Sequence, residues 1–94
     1  MPALRKLVLR HNDLDDRAAQ LLARWPGLAR LEICSLTRNR IGDDGAKALA
    51  ASPFVRSVGE LYLDSNLISE EGAAAFENAG LSNVFVNQRV WTGG

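Results

Sequence analysis

The sequence repeats itself at a spacing of 27 residues, and this periodicity constrains the fold more than any other feature. A period of this length is typical of proteins built from stacked repeats. We therefore expect one domain over residues 1-94, with repeats at about 4-30, 31-57 and 58-80 and a degenerate or capping unit at 81-94. Five columns hold only apolar residues or asparagine: Leu4, Leu7, Leu9, Asn12 and Leu14; then Leu31, Cys34, Leu36, Asn39 and Ile41; then Val58, Leu61, Leu63, Asn66 and Ile68.

Each copy has two halves with different hydrophobic periods. The first half alternates, as in Leu7-Val8-Leu9, which predicts a short strand with one buried face. The second half spaces its apolar residues by three or four, as in Ile41, Gly45 and Leu49, which predicts a short helix. Because each strand follows its predecessor through a helix, the strands should run parallel with the helices on the opposite side.

These segments resemble the leucine-rich repeat. The pattern LxxLxLxxNxI is met by "LRKLVLRHNDL", by "LEICSLTRNRI" with cysteine in a leucine column, and by "VGELYLDSNLI". The following "GDDGAKAL" and "SEEGAAAF" resemble the long, helix-bearing subtype found in ribonuclease inhibitor. The resemblance implies an α/β solenoid of about three and a half repeats, with a curved parallel sheet on the concave side and helices on the convex side.

Several recurring residues have structural roles in this scheme. The resemblance implies that Asn12, Asn39 and Asn66 form a ladder of side-chain amides that satisfies backbone groups at the turns. Small residues at three equivalent positions should let each helix approach the strands, and acidic pairs should open the helices, where the helix dipole favours negative charge. These are Ala18, Gly45 and Gly72, and Asp15-Asp16, Asp43-Asp44 and Glu70-Glu71.

No constellation for catalysis or metal binding is found in the sequence. The single histidine, His11, and single cysteine, Cys34, cannot make a zinc set, and "RNRIGDDGAKAL" lacks the ligand pattern of a calcium loop and the lysine context of a phosphate loop. Cys34 lies in a core column, where an inert buried thiol is expected. We therefore expect no enzyme activity, no cofactor and no metal, and the lone cysteine favours a reducing, cytoplasmic location.

The expected partner is another protein. Eleven basic and eleven acidic residues cancel, which gives no bulk electrostatic reason for a nucleic-acid or membrane partner. The residues that alternate with the core leucines should instead form an exposed concave face with aromatic groups beside charges, a composition typical of protein interfaces. The expected partner-binding residues are Lys6, Val8, Arg10, Ser35, Thr37, Glu60, Tyr62, Asp64, Phe85 and Asn87.

Alternatives remain open at this point. The chain could be a regulatory unit of an enzyme, such as the activator of a GTPase, or a structural fragment of a longer repeat protein with no partner of its own. An uncapped first repeat predicts either such a longer protein or self-association through the N-terminal edge. At the other end Asn83, Asn87, Gln88 and Arg89 would form a polar cap, and Trp25 and Trp91 are expected to be core or capping groups.

Overall fold

The computed structural model describes residues 4–86. Strands and helices alternate in it, one of each per repeat: β1 (Lys6–Val8), α1 (Asp16–Ala23), β2 (Ile33–Ser35), α2 (Asp43–Ala50), β3 (Glu60–Tyr62), α3 (Glu70–Asn78) and β4 (Val84–Phe85). Short 3₁₀ segments, Pro26–Arg30 and Val55–Ser57, lead from α1 and α2 into the next strand. The four strands are parallel and lie in chain order, and the register Leu7–Cys34–Leu61–Val84 joins equivalent repeat positions. The expected α/β solenoid is confirmed.

The core lies between the sheet and the helices. Its columns are those of the repeat, and the side chains of Leu36, Ile41, Leu49, Leu61 and Leu63 are almost fully buried. The equivalent residues of the first repeat, Leu7, Leu9, Leu14 and Leu22, are only half-buried against this cluster, because among the described residues no strand or helix covers their outer side. Trp25 is 38% exposed, so the expectation that it is a core group is wrong; Trp91 lies outside the described residues.

The turn asparagines connect adjacent repeats through hydrogen bonds. The Asn39 side-chain oxygen accepts from the backbone amides of Asn12 and Leu14, at 2.8 and 3.0 Å, and its amide group donates to the carbonyls of Leu9 and Leu36, at 2.9 and 2.8 Å. Asn66 repeats this pattern towards the second copy. Asn12 is exposed and donates to the Arg10 carbonyl. Because Asn39 is only 6% exposed, its bonds replace solvation that the turn has lost.

The acidic residues at the helix starts also act between repeats, which the helix dipole alone did not predict. Asp16 Oδ1 accepts from the amides of Gly42 and Gly45, at 2.5 and 3.1 Å, so it caps α2 from the preceding repeat. Asp43 accepts in the same way from the amide and hydroxyl of Ser69, at 2.7 and 2.5 Å, before α3. The starts of α2 and α3 are therefore each tied to the preceding helix.

The glycines make room for this cap rather than for the strands. A Cβ at Gly45 would lie 2.7 Å from Asp16 Oδ1, and one at Gly72 would lie 2.4 Å from Asp43 Oδ1. Their predicted role in bringing the helix close to the strands is therefore wrong, because the nearest atoms belong to the preceding helix and to the isoleucine of the same repeat. In the first repeat Ala18 replaces the glycine, and α1 is capped locally by Asp15, which accepts from the Ala18 amide at 3.1 Å.

The third helix ends differently from the other two. Gly80 has a left-handed backbone with φ of 73°, and its amide donates to the Glu77 carbonyl, while the Leu81 amide donates to the Phe76 carbonyl. This pair of bonds is a Schellman motif, which favours glycine because a side chain is disfavoured at positive φ. The chain thereby turns directly from α3 into β4 without a 3₁₀ segment between them.

Candidate protein-binding face

We call the sheet face that points away from the helices the concave face. It carries the side chains of Lys6, Val8 and Arg10 from the first repeat and, in register with them, those of the later strands. Alternation along each strand places these side chains opposite the core leucines, as the sequence indicated. The later members are Ile33, Ser35, Thr37, Glu60, Tyr62, Asp64 and Phe85.

The middle of the concave face is apolar and aromatic. Val8 is 54% exposed, and the Tyr62 and Phe85 rings are stacked with their centroids 5.1 Å apart and an angle of 19° between their planes. A shallow depression of about 360 Å³ lies between Val8 and Tyr62 and is lined by Val8, Arg10, Ile33, Ser35, Thr37 and Tyr62. Such a pair of rings is a rigid apolar surface with little conformational entropy to lose on binding.

The phenol of Tyr62 is held neutral. Partial desolvation raises its pKa above the ordinary value, and a hydrogen bond with the Glu60 carboxylate and the negative charge of Asp64 raise the pKa further. The ring therefore offers a neutral polar edge beside its apolar face at physiological pH.

Charge changes sign across the concave face. Lys6 and Arg10 on the first repeat are exposed and basic, whereas Glu60 and Asp64 on the third repeat are half-buried and acidic. The second repeat places the neutral Thr37 between them. A partner that matches this face has to carry acidic groups towards β1 and basic groups towards β3.

A larger polar pocket of about 640 Å³ lies where the first three strands end. It is lined by one pair of neighbouring residues from each repeat: Arg10 and His11, Thr37 and Arg38, Asp64 and Ser65. The second member of each pair is not among the residues predicted from the sequence to bind a partner. His11, Arg38 and Ser65 all have left-handed backbones, with φ of 59°, 60° and 59°, so the chain has left the strand and alternation no longer indicates their direction. Their common spacing of 27 residues was the available signal.

One expectation about the concave face needs correction. Ser35 is only 8% exposed, because its short side chain lies between Val8 and Tyr62 on the neighbouring strands. Its hydroxyl donates a hydrogen bond to the Thr37 hydroxyl at 3.3 Å. Asn83, expected in the polar cap, donates its side-chain amide to the carbonyls of Val55 and Val58, at 3.0 and 2.6 Å. Asn87, Gln88 and Arg89 lie outside the described residues.

Residues 4–86 include one cysteine, which is free. Cys34 is buried, and desolvation raises the pKa of its thiol to about 11, which keeps it protonated and unreactive. That same part of the chain contains no group of three or more histidine, cysteine, aspartate or glutamate side chains arranged to hold a metal ion. Nor does any of its helices have the length and apolar character needed to cross a membrane.

A family model described as Leucine Rich repeat matches residues 2–23 and 31–50, which correspond to the first two copies of the 27-residue unit. No curated protein matches the chain. The matched repeats and the parallel sheet lined by helices together identify the fold as a leucine-rich-repeat solenoid.

Proposed function

We propose that this leucine-rich-repeat solenoid is a non-enzymatic module that binds a partner protein through its concave face. The observation that carries the proposal is the apolar centre of the face, formed by the exposed Val8 and the half-buried, stacked rings of Tyr62 and Phe85, with charges on either side. Leucine-rich repeats generally mediate protein–protein interaction, which supports this assignment. The proposed contact residues are Lys6, Val8, Arg10, Thr37, Glu60, Tyr62, Asp64 and Phe85, with Asn87 beyond the described strands and Ser35 as a buried support.

The energetics of interfaces favour this face over the helices. Binding energy is concentrated in a few desolvated aromatic groups surrounded by polar residues that exclude water. Tyr62 and Phe85 are preorganised by their mutual stacking, so that binding need not fix either ring from a mobile state. The basic and acidic ends of the concave face fix the orientation of the partner, because only a partner with the opposite order of charges is complementary to it.

Finer features of the assignment are part of the proposal. A regular helix in each of the three repeats, of 8, 8 and 9 residues, supports the ribonuclease-inhibitor-like subtype. A cytoplasmic location suits the single, protonated Cys34 thiol. The module works without a cofactor.

Self-association through the outer edge of β1 would not use an antiparallel pairing centred on Val8. Two copies paired antiparallel about Val8 would bring Lys6 of one copy opposite Arg10 of the other. Like charges directly opposite each other destabilise a strand pair.

The function is tested by removing the apolar centre. Purified partner candidates are captured on the immobilised protein and on a Tyr62→Ala/Phe85→Ala variant, with Leu21→Ala as the matched control. Leu21 is 62% exposed on α1, so the control removes an exposed apolar side chain from the opposite side of the molecule. Capture should be lost only in the aromatic variant while circular dichroism stays unchanged. A partner retained equally by all three proteins contradicts the proposal.

A further inference from the structure

We propose that the polar pocket at the ends of β1–β3 binds an extended segment of the partner protein in which an acidic and a basic side chain are two residues apart. The carboxylate lies between Arg10 and Arg38, and the cation lies beside Asp64. This inference rests on the proposed protein-binding function and specifies the chemistry of the partner.

The two ends of the pocket carry opposite charge. Arg10 and Arg38 are exposed cations from adjacent repeats, and His11 lies next to them. Guanidinium groups bind carboxylates through paired, charge-assisted hydrogen bonds, which makes this end suited to an acidic side chain. The hydroxyl of Thr37 provides a further donor between the two arginines and Asp64.

The spacing of the two charges on the ligand follows from the spacing of the strands. Neighbouring strands lie about 4.8 Å apart, so a point midway between the first two repeats is about 7 Å from Asp64 on the third. An extended chain advances about 3.4 Å per residue, and its side chains at positions i and i+2 lie on the same side. An acidic and a basic residue with one residue between them therefore reach both ends of the pocket together, whereas adjacent residues point to opposite sides.

The pocket also adjoins the apolar depression of the concave face, because Arg10 and Thr37 line both. A segment bound in the pocket can therefore continue towards Val8 and Tyr62. Ion pairs in the polar pocket and contacts with the aromatic side chain in the apolar depression would together fix the position and the direction of the partner chain.

Two peptides of identical composition test the inference. The probes are acetyl-Gly-Glu-Ser-Lys-Gly-amide, with the charges two residues apart, and acetyl-Gly-Glu-Lys-Ser-Gly-amide, with the charges adjacent. Dissociation constants are measured by titration of the isotope-labelled protein, followed by the nuclear magnetic resonance signals of backbone amides and arginine side chains. The first peptide should bind about fivefold more tightly, as expected for one additional ion pair near the protein surface, and the difference should shrink at high salt.

Three variants locate the site. Arg10→Gln/Arg38→Gln should weaken binding of the first peptide about fivefold, whereas the charge-matched control Arg17→Gln/Arg24→Gln on the helical side should leave it unchanged. Asp64→Asn should abolish the preference between the peptides, with folding checked by circular dichroism. Equal affinity for both peptides, or equal loss in both arginine variants, overturns the inference. If the peptides show no preference while partner capture still depends on Tyr62 and Phe85, the inference fails and the proposed function stands.

Discussion

The cap that Asp16 provides to α2 makes a measurable contribution to stability. Gly42 precedes α2 and has no side chain to cap it, so the Gly45 amide is satisfied only by the aspartate of the previous repeat. The same oxygen also accepts from the Gly42 amide. Loss of a helix N-cap costs about 1 kcal/mol, and a second lost hydrogen bond adds about 1 kcal/mol. We therefore expect Asp16→Ala to lower the free energy of unfolding by about 2 kcal/mol.

A graded set of variants isolates this effect. Asp16→Asn keeps an acceptor oxygen and should lose about half as much as Asp16→Ala. Asp44→Ala is the matched control, because Asp44 is exposed in the first turn of the same helix and acts only through its charge, on the helix dipole and on Lys47, a contribution of about 0.5 kcal/mol. Urea and thermal unfolding followed by circular dichroism measure the differences, and 2 kcal/mol corresponds to about 10 °C in Tm for a domain of this size. Equal destabilisation by Asp16→Ala and Asp44→Ala would refute capping between repeats.

Three further predictions concern other structural positions. Asn39→Ala should cost about 3 kcal/mol in urea unfolding because it leaves buried backbone groups of two repeats unsatisfied, whereas Asn12→Ala, at the exposed equivalent position, should cost less than about 1 kcal/mol. Gly80→Ala should cost about 1 kcal/mol and Gly80→Asn less, because asparagine tolerates the left-handed conformation better; equal Tm values for the two variants would contradict this. Hydrogen bonds from the hydroxyl and amide of Ser69 lower the pKa of Asp43, so its stabilisation is complete above the ordinary carboxyl pKa and is lost as the pH falls below about 4; Asp43→Asn should flatten the dependence of Tm on pH in that range.

The architecture could be predicted because the same hydrophobic pattern recurs in every repeat. Leu7, Cys34 and Leu61 recur in phase, and that recurrence indicates strand, register and core together, as the sheet confirms. The 27-residue period does not predict which atoms of one repeat form hydrogen bonds with the next repeat. Asp16 and Asp43 could be assigned to helix starts, but their bonds to Gly42 and Ser69 depend on how closely successive helices pack.

The candidate site was predictable only in part, for a related reason. Alternation indicates which side of the strand a residue faces, and this suffices for Val8 and Tyr62. Exposure also depends on the size of the neighbouring side chains, which is why Ser35 is buried. His11 and Arg38 escaped prediction because a left-handed turn residue follows no alternating pattern.

The acid and glycine pairs define which units can follow one another along the stack. A second copy of residues 31–57 inserted after residue 57 would place Asp43 of the original against a glycine at the start of the new helix, so the junction would repeat one that already exists. A second copy of residues 4–30 inserted after residue 30 would instead bring the Ala18 methyl group against Asp16, at the place where Gly45 now leaves room. Duplication of the second unit therefore keeps the cap between successive helices, whereas duplication of the first unit displaces the Asp16 carboxylate from it, so the choice between alanine and glycine at one helical position sets the stability of the new junction.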